Sequence, residues 1–180
     1  ALPILNKHYR CHKKIAKFSN IKYYNNQLDI QTDYQNTTPL KLIDTKNSVA
    51  LGKNSSHSDI EVIIQEIRRT PADKEIGVVT PFRNQALRIE ERLEKENITN
   101  VKVGTIHTFQ GQEKDKIIIS SAITSATTPG AFDFIKNNRE LINVATTRPK
   151  EELVVIADVD QIRRLSGSEM NDYSELIQIG

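Results

Sequence analysis

The chain has 180 residues, 25 Lys and Arg against 23 Asp and Glu, a net charge of +2 and a single cysteine, Cys11. That length suits one domain with one core, burying roughly 70% of its unfolded surface. The near-neutral balance excludes a polycation that binds nucleic acid by bulk charge, and one cysteine excludes an internal disulfide and fits a reducing compartment, so the expected location is cytoplasmic.

No apolar run is long enough for a membrane helix, and no basic-then-apolar signal sequence opens the chain. The reading is therefore of a chain with no membrane partner. It starts at Ala1 with no helix-start signal, which reads as a piece of a longer polypeptide.

Residues 1–36 form a loop-rich leading segment with one short helix at most. His8, Cys11 and His12 stand at i, i+3, i+4 and could share a helical face, but three soft ligands without a fourth do not make a metal site, and no metal is assigned. A strand is expected at 41–45, then a polar surface loop. Ser58 with Glu61 reads as a capping box opening an amphipathic helix whose Ile60, Ile63, Ile64 and Ile67 face the core and which stops before Pro71.

Ile76 to Thr80 reads as a buried strand halted by Pro81, followed by a helix with Ala86, Ile89 and Leu93 on one side. Thr80, Arg83, Asn84 and Gln85 then sit at a strand-to-helix turn. Such a turn can offer backbone N–H groups and a helix dipole to a phosphate, or can be an ordinary connection facing water. Val101 to Val103 is a short strand, and Lys116 to Ala122 an Ile-rich strand buried on both faces. Residues 124–133 read as a mobile surface loop. Asn138 to Arg148 is a helix stopped by Pro149, Leu153 to Ala157 a last buried strand, and 159–165 and 170–177 closing helices. Strands alternating with helices predict a three-layer α/β sandwich with a mostly parallel sheet. Polar residues flanking the central strand are expected to face one shared crevice.

Four blocks, in order, resemble the second, C-terminal RecA-like domain of superfamily 1 DNA or RNA helicases. HYRCH at 8–12 resembles Q-Y-R-M-H. VVTPFRNQ at 78–85 resembles V-I-T-P-Y-x-x-Q. TIHTFQGQEKDKIIIS at 105–120 resembles T-V-x-x-F-Q-G-x-E-x-D-x-V-I-x-S. NVATTRPKEELVVIAD at 143–158 resembles N-V-A-x-T-R-A-K-x-x-L-x-V-x-G-D.

The resemblance implies a RecA-like P-loop NTPase fold and one wall of a site for ATP with Mg2+, bound jointly with an N-terminal RecA-like domain of the same polypeptide. It implies that Arg148 is an arginine finger and that Arg10 also meets the γ-phosphate, a role suited to a fixed, always charged fork. Tyr9 would lie near the adenine, and Gln110, Gly111 and Glu113 at the nucleotide edge, with Glu113 accepting from a ribose hydroxyl and Gly111 allowing close backbone approach. Thr80, Pro81 and Thr105 would line a path for single-stranded DNA or RNA, with Arg83, Asn84 and Gln85 beside it. Phe109 and Asn143 are left to packing.

The chain departs from the family at His8, Cys11, Lys13, Glu140, Pro149 and Ala157. Pro149 is expected to push Arg148 out of helical geometry. No G-x-x-x-x-G-K-[ST] occurs, so the domain has no Walker A of its own and is expected not to hydrolyse ATP alone. The competing reading is a degenerate RecA-like module that binds nucleic acid or protein without turnover.

Overall fold

The computed structural model describes residues 7–8, 29–30, 40–109, 111–136 and 138–167. Two short strands, β1 (Lys7–His8) and β2 (Asp29–Ile30), pair in parallel. The main sheet holds β3 (Leu40–Asp44), β4 (Ile76–Val79), β5 (Val101–Gly104), β6 (Lys114–Ser120) and β7 (Pro149–Ala157). Their order is β3-β7-β6-β4-β5 and every neighbouring pair is parallel, as the alternating pattern predicts.

Strand alternation divides the core into two layers. Ile117 and Ile119 of β6 point to one face with Val79, Leu153 and Val155; Ile118 points to the other with Val78, Val154 and Ile156. The second face is covered by α1 (His57–Arg69) and α2 (Arg83–Lys95). Ile60, Ile63, Ile64 and Ile67 of α1 and Ile89 and Leu93 of α2 fill that layer, as their spacing predicts. The first face is covered by a 3-10 turn (Ile106–Phe109), α3 (Pro129–Lys136), α4 (Arg139–Thr147) and α5 (Val159–Ser166). The result is the expected three-layer α/β sandwich.

Two local expectations are corrected. The cap of α1 is Ser56, not Ser58: the Ser56 hydroxyl accepts from the Asp59 N–H at 3.1 Å and donates to the Asp59 carboxylate at 3.0 Å. Both serines have an acid three residues on, so the sequence offers two capping boxes; the interior needs Asp59, which selects the earlier one.

Residues 124–133 are not simply a surface loop. Thr124 and Thr127 are buried, with the Thr124 N–H bonded to the Thr127 hydroxyl at 2.9 Å, and α3 follows. Thr128 accepts from the Ala131 N–H at 3.2 Å and Pro129 takes the first helical position, where its missing donor costs nothing, while Phe132 and Ile135 anchor one face in the core.

Candidate functional site

Arg148 is the C-cap residue of α4, beside the amino ends of β6 and β7. Its N–H donates to the Val144 carbonyl at 3.0 Å, and its own carbonyl accepts from the Lys114 N–H at 3.1 Å. These bonds hold it at φ −86°, ψ −33°, so Pro149 does not expel it from helical geometry; the proline instead begins β7, paired with Lys114. Two closed backbone bonds outweigh the steric preference of a residue preceding proline.

The Arg148 side chain is half-buried, and its Nε donates to the Thr147 hydroxyl at 3.1 Å. No carboxylate among the described residues pairs with its guanidinium, whereas Arg92 is held by both Glu61 and Glu96. The carbonyl end of α4 also favours a cation there.

Gly111 and Glu113 lie at the same amino edge, just before β6. Gly111 has φ +75°, and a Cβ there would meet nothing within 4 Å, so within this chain glycine serves the left-handed turn rather than a close approach. Glu113 is half-buried. Tyr9, Arg10 and Gln110 lie outside the described residues, as do Cys11 and His12 of the metal reading. Among the described residues no three His, Cys, Asp or Glu side chains converge on a metal position.

Thr80, Pro81, Arg83, Asn84 and Thr105 lie at the opposite, carboxyl edge. Thr80 and Pro81 are buried; the Thr80 N–H donates to the Gly104 carbonyl at 3.1 Å and its hydroxyl accepts from the Phe82 N–H at 3.3 Å. Arg83 and Asn84 are exposed at the start of α2, where Asn84 Nδ2 donates to the Lys53 carbonyl at 3.1 Å. The N-cap residue, Phe82, gives no side-chain cap and the first turn carries no acid. Thr105 is half-buried.

Gln85 is corrected: it is 0% exposed and its amide serves the interior rather than a surface path. Its Oε1 accepts from the Ser56 N–H at 2.9 Å, and its Nε2 donates to the Ser120 hydroxyl at 3.0 Å and the Ser56 carbonyl at 3.3 Å. The cluster extends to Asp59, whose carboxylate accepts from the Ser120 hydroxyl and the Ala122 N–H, both at 2.8 Å. Ala122 has φ +55°, a left-handed conformation that this bond helps hold.

Burial pushes the Asp59 carboxyl up to about 6, more than its bonds to Ala122, Ser120 and Ser56 lower it. Sequence reading missed this cluster. Its one available signal was an acid in the first turn of α1, which is ordinarily a surface feature.

The two groups do not share one crevice. Neighbouring strands are parallel, so Glu113 and Arg148 precede the strands while Thr80 and Thr105 follow them. The seven residues of β6 put about 20 Å between these edges. Residues 105–109 leave the carboxyl edge across a sheet face, and 111–113 stand at the amino edge. Phe109 is fully buried against β4, where a Cβ on Gly77 would fall 2.5 Å from its ring, and a Cβ on Gly104 would fall 2.3 Å from the Thr108 hydroxyl. These are the glycines required by close approach.

A family model described as an AAA domain matches residues 1–160. DNA polymerase alpha-associated DNA helicase A of Saccharomyces cerevisiae is 26% identical over 205 residues, covering 95% of this chain and 30% of that protein. An uncharacterized ATP-dependent helicase of Methanocaldococcus jannaschii is 27% identical over 187 residues, covering 89% of this chain and 27% of that protein. The chain thus spans under a third of the length of these relatives. Among solved structures, the C-terminal domain of a possible DNA helicase from Lactobacillus plantarum superposes with a TM-score of 0.52 at 13% identity, covering 83% of this chain and 86% of that one. That likeness shows the fold, which is RecA-like.

Proposed function

Because this chain belongs to the AAA-domain family and is a superfamily 1 helicase-type domain, we propose that it is the C-terminal motor domain of an ATP-dependent helicase or translocase. The observation that carries this reading is Arg148: a guanidinium with no carboxylate partner among the described residues, fixed at a helix end beside Glu113 and Lys114. An always charged planar fork held in place without an acid is suited to the charge that develops on a transferring γ-phosphoryl group.

In this reading an N-terminal RecA-like domain of the same polypeptide holds the phosphates of ATP and its Mg2+. Arg148 completes the site from across the cleft, joined by Arg10. Tyr9, Gln110, Gly111 and Glu113 border the adenine and ribose. Mg2+ supplies charge neutralisation on the phosphates, and its protein ligands belong to the other domain. Thr80, Pro81, Arg83, Asn84 and Thr105 flank single-stranded DNA or RNA at the far edge, with Thr80 and Pro81 acting through backbone and shape. Phe109 follows the Thr105 end and precedes the Gly111 end in the chain and is packed on the sheet, so a shift at the nucleotide is passed to the strand through it.

The test is ATP hydrolysis by the full-length protein with and without single-stranded DNA and RNA, beside its Arg148→Ala variant and the isolated domain. Strand-stimulated turnover, its collapse in the variant with nucleotide still bound, and an inert isolated domain are the expected results. Unchanged turnover in the variant removes Arg148 from the mechanism. A full-length protein that binds strands without turnover is the degenerate module instead.

A further inference from the structure

Phe134 is the large apolar side chain of α3 that the core does not take. Phe132 and Ile135 are 1% and 0% exposed, whereas Phe134 is 58% exposed. Its ring centroid lies 6.4 Å from that of Phe82 at an interplanar angle of 35°. Phe82 is the buried N-cap residue of α2, between Pro81 and Arg83, so an exposed aromatic face stands beside an uncapped helix start with no acid in its first turn.

Arg83 has no carboxylate partner among the described residues, and Asp133, the acid next to Phe134, is paired with Lys136 at 2.8 Å. Helix start and arginine attract an anion, while the ring offers a π-face and no hydrogen-bonding group. A nucleotide carries both features, a charged phosphate and a flat base. Among the described residues, the other exposed large apolar side chains, Val49, Leu51 and Leu87, are aliphatic and offer no such face.

We propose that Phe134 is a base-stacking platform for single-stranded nucleic acid, with Phe82 supporting its ring and the start of α2, through Arg83, holding the neighbouring phosphate. This rests on the strand path proposed above and adds to it a residue that binds bases without reading their identity.

The test compares binding of the full-length protein to oligothymidylate and to a base-free oligomer of the same length and charge. Phe134→Ala is expected to weaken oligothymidylate binding about fivefold or more while leaving the base-free oligomer unchanged, with Phe134→Trp restoring the difference. Arg83→Ala should weaken both oligomers alike. Equal losses on both oligomers in Phe134→Ala, or no loss on either, overturn stacking. A lower melting temperature with unchanged affinity also overturns it, assigning Phe134 to contact with the rest of the polypeptide. If Arg83→Ala loses both oligomers and Phe134→Ala neither, the strand path stands and the platform falls; wild-type protein that binds neither oligomer sinks both.

Discussion

The two ends of the sheet solve the same problem with different chemistry. At the carboxyl edge, Ser56, Asp59, Gln85 and Ser120 are buried and satisfy one another, joining α1, α2 and β6. At the amino edge the material is charge: Glu66 lies between Lys41 at 2.9 Å and Lys116 at 3.0 Å, and Lys116 also reaches Glu152 at 3.5 Å. Arg148 stands at that edge outside the network. A closed interior network fixes geometry and leaves nothing over, whereas an edge built from ions can leave one cation free for a ligand.

The largest expected effect breaks the charged end. Arg148→Ala should lower strand-stimulated turnover of the full-length protein about 10³-fold, read by steady-state kinetics. Because Arg148 sits at a helix end with no acidic partner among the described residues, the same substitution should change the urea midpoint little; a large shift would make it a structural residue.

Breaking the hydrogen-bonded end should act on stability instead. Asp59→Ala leaves the Ser120 hydroxyl and the N–H of left-handed Ala122 without their acceptor, and should cost on the order of 3 kcal/mol in urea unfolding. The pH dependence carries its own sign. The native Asp59 carboxyl is raised to about 6, so the folded state binds this proton more tightly than the unfolded one. Its contribution therefore grows as pH falls from about 6 towards about 4 and is lost as pH rises through 6. Glu66 behaves oppositely: Lys41 and Lys116 hold its carboxyl below the usual range despite the opposing effect of burial, and its contribution is lost as pH falls below about 4.5. A stability difference between wild type and Asp59→Asn that stays constant from pH 4.5 to 6.5 would refute the assignment.

Smaller effects lie between the edges. Gly77→Ala should cost about 1–3 kcal/mol in thermal unfolding, because the new methyl group meets the ring of Phe109. Gly111→Ala has open space but keeps a left-handed φ, and should cost only about 1 kcal/mol. The reverse ranking would mean that Phe109 is not packed against Gly77 as described.

Where sequence reading succeeded, the signal was repetitive. The isoleucines of α1 repeat at the helical period of 3.6 and those of β6 form the unbroken apolar run of a strand buried on both faces, and these signals indicated the layers, the parallel sheet and the core. Where it failed, two local readings were equally good or one weak preference met a stronger bond. Ser56 and Ser58 are equivalent caps until Asp59 is needed inside. Pro149 disfavours a helical Arg148 until Val144 and Lys114 bind its backbone. Gln85 looked like a surface residue because a polar side chain at the start of a helix gives no hint of a buried partner 35 residues away.

By itself, then, the sequence determined the main strands and the helices α1, α2 and α4, the fold class and the order of the motif blocks, because hydrophobic period and turn chemistry are local. Which motif residues stand together was decided only in three dimensions. Parallel pairing sends the residues before β6 and β7 to one edge and those after β4 and β5 to the other, and that separation depends on strand neighbours far apart in the chain. Tertiary packing likewise decides which side chains water can reach: Arg83 and Phe134 are exposed and Arg148 is half-buried, while Asp59 and Gln85 are sealed within.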